Sequence, residues 1–285
     1  MINIRRTIKV EAKFEGCIPT ASYANSRPGF MASEEFVLDC PKEEIDIVIA
    51  DRQRELHLIC FSQFQMAAEA AKFEKVQADL KNFRFYEEGG DKFPSVTSFL
   101  NYDKDFWCSD EDLKQYAAQG NLIDWEVRNF VETGKYVDSK DEPSLAADRW
   151  IIKSGKLQLA LSGWDFRGFL AKYPIKNLKS CKEPIFNHQF RYAGTPDLVG
   201  EYNDLPTLVS IKRTKNETDN FIQDSCYAKC KGMENIKQII VVPLKSEQDG
   251  GNAQGFSKPS VTTDIDRYFE IAKYKRNEFK KIYGI

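Results

Sequence analysis

The sequence predicts an α/β (α+β) protein, a mixed sheet flanked by helices with a small α+β unit ahead of it. Three observations predict this. Short runs rich in β-branched and aromatic residues recur between longer stretches of helical period. From residue 157 onward these fall in the order helix, strand, strand, helix, strand, helix, which closes a sheet between helical layers. At 285 residues and 42% apolar, the chain can bury a sizeable core in one large domain or two small ones.

Ile4 to Phe14 alternates polar and apolar residues and predicts a strand. Cys17 to Phe30, rich in Pro, Gly, Ser and Asn, predicts a loop, and Glu35 to Asp39 a short return strand. Pro41 followed by Glu43 and Glu44 marks a helix start. That helix is expected to reach Phe73, with a second piece from Val76 to Asn82. Phe83 to Tyr86 reads as an aromatic strand, and the Gly89-Gly90 pair behind it as a boundary. Residues 1–90 are therefore expected to form an accessory unit of two strands and a long helix.

The second domain is expected over residues 93–285. Ser109-Asp110-Glu111-Asp112 resembles a capped helix start. One helix is predicted from there to Gly120 and another from Leu122 to Val131. An acidic, Pro-containing linker, Asp138 to Pro143, leads to a helical region from Leu157 to Tyr173. Ile185 to Gly200 is predicted extended with a kink at Gly194-Thr195-Pro196. Glu201 to Pro206 is a polar turn and Thr207 to Lys212 the next strand. A helix over Asn220 to Lys231, a buried strand over Gln238 to Leu244 and an amphipathic helix over Asp264 to Tyr283 complete the chain.

Composition narrows the function. The net charge of −2 argues against a wholly basic nucleic-acid coat. Residues 205–285 nevertheless hold 14 basic and 10 acidic side chains, a bias compatible with phosphate contact. No apolar run approaches the ~18–20 residues needed to span a bilayer, and Met1 to Gly16 has no apolar signal core. A cytoplasmic protein without membrane attachment is expected. The seven cysteines are odd in number and scattered, with only Cys226 and Cys230 close, so reduced thiols are expected rather than a zinc or iron–sulfur site. His57 and His188 have no partner in sequence and read as structural.

The chemistry concentrates in Tyr192-Ala193-Gly194-Thr195-Pro196-Asp197 and Ser210-Ile211-Lys212. Asp197 is expected at the head of one strand and Lys212 across a turn on its neighbour. Ser210 and Lys212, two apart, point to one face, while Val209 and Ile211 point into the core. A carboxylate and an ammonium on adjacent strands can hold a divalent cation and an attacking water beside a phosphate.

These residues resemble the PD-(D/E)XK nuclease superfamily in its RecB-type branch, which includes phage exonucleases and the mitochondrial genome-maintenance exonuclease. Phe93-Pro94-Ser95-Val96-Thr97 is similar to the segment that opens many such domains. Ala193 to Asp197 matches the metal-binding aspartate motif, Ser210-Ile211-Lys212 sits where the family has an (Asp/Glu)-x-Lys, and Gln223 to Tyr227 matches its Gln-x-x-x-Tyr helix. The resemblance covers residues 93–285. It implies a metal-dependent DNA nuclease of exonuclease type, acting in recombination, repair or replication, in the host cytoplasm if phage-encoded. Asp197 and Lys212 are the implied catalytic residues. Mg2+ or Mn2+ is implied at one site, held by Asp197, the Ile211 carbonyl and the candidate substitute Asp124. Gln223, Tyr227 and Thr195 are the implied substrate contacts.

The sequence departs from the family at three positions. Ser210 stands where the second acid belongs, and a hydroxyl is a poorer Mg2+ ligand than a carboxylate. Asp124 replaces the histidine of the Gly-x-x-x-His helix, and Arg128 replaces the acid four residues later. Glu126 points about 160° away from Asp124 on an ideal helix, and Glu183, expected on the first strand, is a further candidate ligand. Tyr227 reads equally as core packing. The alternative function is a catalytically impaired nuclease fold acting in DNA binding or assembly, with residues 1–90 open to a protein partner.

Overall fold

The structure is a computed structural model that describes residues 3–15, 18–21, 24–26, 29–104, 108–214 and 216–285. It divides into two compact units, Met1–Asn82 and Phe83–Ile285. The division falls ahead of the Gly89-Gly90 pair, which is instead a tight turn inside the second unit. Both glycines have positive φ, 59° and 88°, as the two central residues of a two-residue hairpin of this type require.

In the first unit, β1 (Asn3–Glu15) pairs antiparallel with β4 (Gly29–Pro41), in register from Asn3 opposite Pro41 to Glu15 opposite Gly29. Between them lies a small hairpin of β2 (Ile18–Ala21) and β3 (Ala24–Ser26). The loop expected over 17–30 is thus partly strand, and the return strand is longer than expected, because the pleat alternation continues to Phe30. Cys17 lies outside the described residues. Helix α1 (Ile45–Asn82) runs without a break through Phe73, following a short 3-10 turn. No Gly or Pro interrupts residues 45–82, so nothing in the backbone ends the helix. Val10 and Leu38 from the strands and Ile45, Leu56 and Cys60 from α1 are buried. Phe14 meets the rings of His57, Phe61 and Phe64 at centroid distances of 5.6, 5.3 and 5.1 Å.

The second unit opens with the hairpin of β5 (Phe85–Glu88) and β6 (Asp91–Pro94) and the short helix α2 (Val96–Asn101), capped by Ser95. Helix α3 (Asp110–Thr133) starts at the expected capping box, Ser109 with Asp112, and ends at Gly134 in the left-handed conformation. It is one helix, not two: Gly120 is absorbed, and Leu122, Ile123 and Val127 continue the buried stripe of Ala118. Helices α4 (Ala146–Ser154) and α5 (Phe166–Lys172) follow. The helical region expected over 157–173 is helical only at its end, and residues 157–165 are irregular.

The sheet has the order β13-β12-β11-β10-β7. Its strands are β7 (Lys176–Ser180), β10 (Leu198–Tyr202), β11 (Leu205–Lys212), β12 (Gln238–Pro243) and β13 (Ser260–Thr262), with β8 (Ile185–Asn187) and β9 (Tyr192–Gly194) a separate hairpin. The stretch 185–200 is therefore two strands of that hairpin and one of the sheet. β11 and β12 are parallel and the other pairs antiparallel, so the sheet is mixed. Helix α6 (Glu217–Ala228) makes the crossover from β11 to β12, and α7 (Ile265–Tyr283) closes the chain against α6. One sheet face, with Leu198, Val209, Ile240 and Val242, packs on α3 and α5. No helix among the described residues is long and apolar enough to cross a membrane.

Candidate active site

The β10–β11 pair builds the centre. Leu198 stands opposite Val209, so Asp197, one residue before β10, reaches the level of Ser210 and Ile211. Its Oδ2 accepts a hydrogen bond from the Ile211 N–H at 2.7 Å. This fixes the carboxylate across the strand gap and leaves its side chain 25% exposed. Val209 enters the core and Ile211 packs against its edge. Ser210 and Lys212 therefore project from the opposite face, toward α6.

That face holds a residue that the strand motif does not contain. Asp224 of α6 is 1% exposed, and its Oδ2 has no hydrogen-bond partner among the described residues. Burial pushes its carboxyl from the ordinary 3.8 to about 7. The Lys212 charge works against that rise, the Asp197 charge adds to it, and a hydrogen bond with the Ser210 hydroxyl opposes it. Asp197, Ser210, Lys212 and Asp224 thus form one electrostatic group. Ser210, 2% exposed, is the β11 side chain that the α6 carboxyl meets.

Gln223, beside Asp224 on α6, connects the centre to the helix. The Lys212 Nζ lies 3.4 Å from Gln223 Oε1, and Gln223 Nε2 donates to the Tyr227 hydroxyl at 3.1 Å. Tyr227 is 7% exposed and packs its ring over Gly194, where an added Cβ would fall 2.4 Å from Cε1. Burial raises its phenol above the ordinary range. Tyr227 is thus a packing residue that orients Gln223. Thr195 is partly exposed, with its hydroxyl 3.5 Å from that of Tyr86.

On the α3 side, Arg128 grips Asp124 through Nε, at 2.9 and 2.7 Å from its two oxygens. The guanidinium also donates to the Cys181 carbonyl at 2.6 Å and lies 3.8 Å from Asp197 Oδ1. Burial raises the Asp124 carboxyl, and Arg128 works against the rise. Both Asp124 oxygens are engaged, so it serves first as the partner of Arg128. Thr195, Asp124 and Arg128 line a cavity of about 580 Å3 with Trp125, Asn129 and Lys182. Glu126 points away as its helical phase requires: it is 3% exposed and accepts from the Ser139 N–H and the Trp164 indole. Glu183 is exposed between β7 and β8, not on a strand.

Among the described residues no three His, Cys, Asp or Glu side chains gather as a ligand cluster. The donors that a single hard cation would call on are two carboxylates. The Asp197 charge acts on the Asp224 carboxyl, and Asp224 Oδ2 is a buried oxygen with no hydrogen-bond partner among the described residues. Asp224 had a signal in the sequence. It shares the helical stripe of Phe221, Ser225 and Ala228, all buried, and an acid within a buried stripe is unusual. No protein-family model matches the chain, and no curated protein matches it.

Proposed function

We propose that the second unit is a metal-dependent DNA nuclease with the PD-(D/E)XK fold of the RecB-type branch, hydrolysing phosphodiesters in an exonuclease manner. One observation carries this reading: the Asp224 carboxyl is buried against Ser210 within the field of Asp197 and Lys212, and on this reading it takes the place of the acid that Ser210 lacks. Asp197, Asp224 and the Ile211 carbonyl would hold one Mg2+ or Mn2+. When bound, such an ion supplies charge neutralisation and polarisation of the phosphate. Asp197 is held for this task by the Ile211 N–H. Lys212, kept in place by Gln223, orients the attacking water and offers positive charge to the developing phosphorane.

The test is hydrolysis of single- and double-stranded DNA with Mn2+ by the full chain. Asp197→Ala and Asp224→Asn should each lower the rate by about 10²–10³-fold, the usual effect of removing one electrostatic group from such a site. Hydrolysis that survives both changes would refute the assignment. A second reading, DNA binding without turnover, is supported by the Arg128 guanidinium 3.8 Å from Asp197, which repels a cation. On that reading DNA binds in a salt-dependent way and is not cut. The first unit is proposed as an accessory element for a protein partner, since Met31, Ile47, Leu58 and Phe73 are exposed on it.

A further inference from the structure

Beside the centre, on the far side of Gln223, lies a second cavity of about 210 Å3 between α2 and the start of α6. Its lining is rich in amides: Asn101, Asn220 and Gln223, with the Thr97 hydroxyl. Asn220 is nine-tenths buried, and its Nδ2 has no hydrogen-bond partner among the described residues. Two lysines at the rim are already engaged: Lys104 with Asp219 at 2.9 Å, and Lys275 with Asp103 at 3.3 Å. The cavity is thus close to neutral and offers mixed donors and acceptors. That chemistry suits the edge of a heterocycle better than a phosphate.

We propose that this cavity seats one unpaired nucleobase of the nucleotide adjoining the scissile phosphate. The proposal rests on the nuclease reading above. The volume is below the range of drug-sized ligand pockets, ~300–1,000 Å3, so a single base enters and a base pair does not. Amide side chains match the alternating donors and acceptors of a base edge. Gln223 lines the cavity and also holds Lys212, so an occupied seat and a positioned amine share one residue. The substrate is then a strand whose base can leave its stack, at a frayed end or in single-stranded DNA.

The experiment measures binding of the full chain, in EDTA, to a series of fluorescent single-stranded octanucleotides. Each carries one abasic position. One position should weaken binding at least fivefold, and Asn101→Ala and Thr97→Val should flatten that profile. Both variants alter the cavity wall without touching Asp197, Asp224 or Lys212. A flat profile in the wild type, no binding of any octanucleotide, an unchanged profile in both variants or full competition by inorganic phosphate would each overturn the proposal. Hydrolysis with Mn2+ is scored separately. Cutting with a flat profile defeats the base seat alone, and a peaked profile without cutting defeats the nuclease reading and with it the placement beside a scissile phosphate, leaving a base seat on a DNA-binding surface.

Discussion

Replacing Asp224 with Asn should stabilise the protein by an amount that grows with pH. The Asp224 carboxyl is buried and held at about 7 in the folded state, against an ordinary 3.8. The folded state therefore binds a proton that the unfolded state releases, and stability falls as pH rises between those two values. Below 3.8 both states are protonated and nothing is lost. At pH 5 the loss is partial, and above pH 7 it is complete, roughly 4 kcal/mol at 1.36 kcal/mol per pH unit. Asn does not titrate. Its advantage over Asp should thus increase by roughly 2–3 kcal/mol from pH 5 to pH 8. Urea denaturation of both proteins in EDTA at pH 5, 6, 7 and 8 measures this directly. The comparison across pH cancels whatever constant effect the amide has on packing. A difference that stays flat across that range would show that the carboxyl titrates normally, and the account of Asp224 as an acid held protonated by burial would fail. Mn2+ should restore the lost stability to the wild type at pH 8, and not to the Asn variant.

Four further outcomes are expected. Arg128→Met removes a positive charge 3.8 Å from Asp197; Mn2+ affinity by calorimetry should rise roughly fivefold, a screened fraction of the Coulomb term for a partly exposed pair, and an unchanged affinity would show that the guanidinium does not oppose the ion. Lys212→Gln should abolish DNA hydrolysis while retaining Mn2+ binding, and loss of both would make the lysine structural. Adding Ser210→Asp to Asp224→Asn should recover the Mn2+ binding that Asp224→Asn loses, since the acid then returns to the strand; no recovery would mean that positions 210 and 224 do not serve one site. Gly194→Ala should cost about 1–3 kcal/mol in urea denaturation, because its Cβ would press on the Tyr227 ring, and a neutral result would mean that the ring shifts freely.

The strand pair was legible because its signals are local. Val209 and Ile211 alternate with Ser210 and Lys212, and a polar turn separates them from Asp197, so the pleat alone predicts which side chains meet. The capping box at Ser109 and Asp112 is equally local. Helix continuity was less legible: Gly120 invites a break in α3, and only the buried stripe through Leu122 and Val127 shows that packing outweighs the roughly 1 kcal/mol that a glycine costs. Strands β7 and β13 were missed, being short edge strands with mixed polarity, Lys176–Ser180 and Ser260–Thr262. Asp224 belongs to another category. Its helix and approximate face are readable, but its approach to Ser210 depends on how α6 is rotated over the sheet, which no single stretch of sequence contains. The same holds for Arg128, whose reach to Asp197 depends on the docking of α3.

Placing one carboxylate at the head of a strand and the other on a crossover helix makes the site a joint between two elements rather than a feature of either. Asp197 is locked to β11 by a backbone donor, whereas Asp224 stays in position only while α6 is seated on β11 and β12. A brief lifting of α6 would leave the sheet hydrogen bonds whole and yet part the two acids. Amide exchange in α6 should therefore slow when Mn2+ is added, while exchange in β11 and β12 changes little. On the proposed reading, an ion held across such a joint would act as a clasp, and the helix that closes it would be the element whose opening sets how long the ion stays.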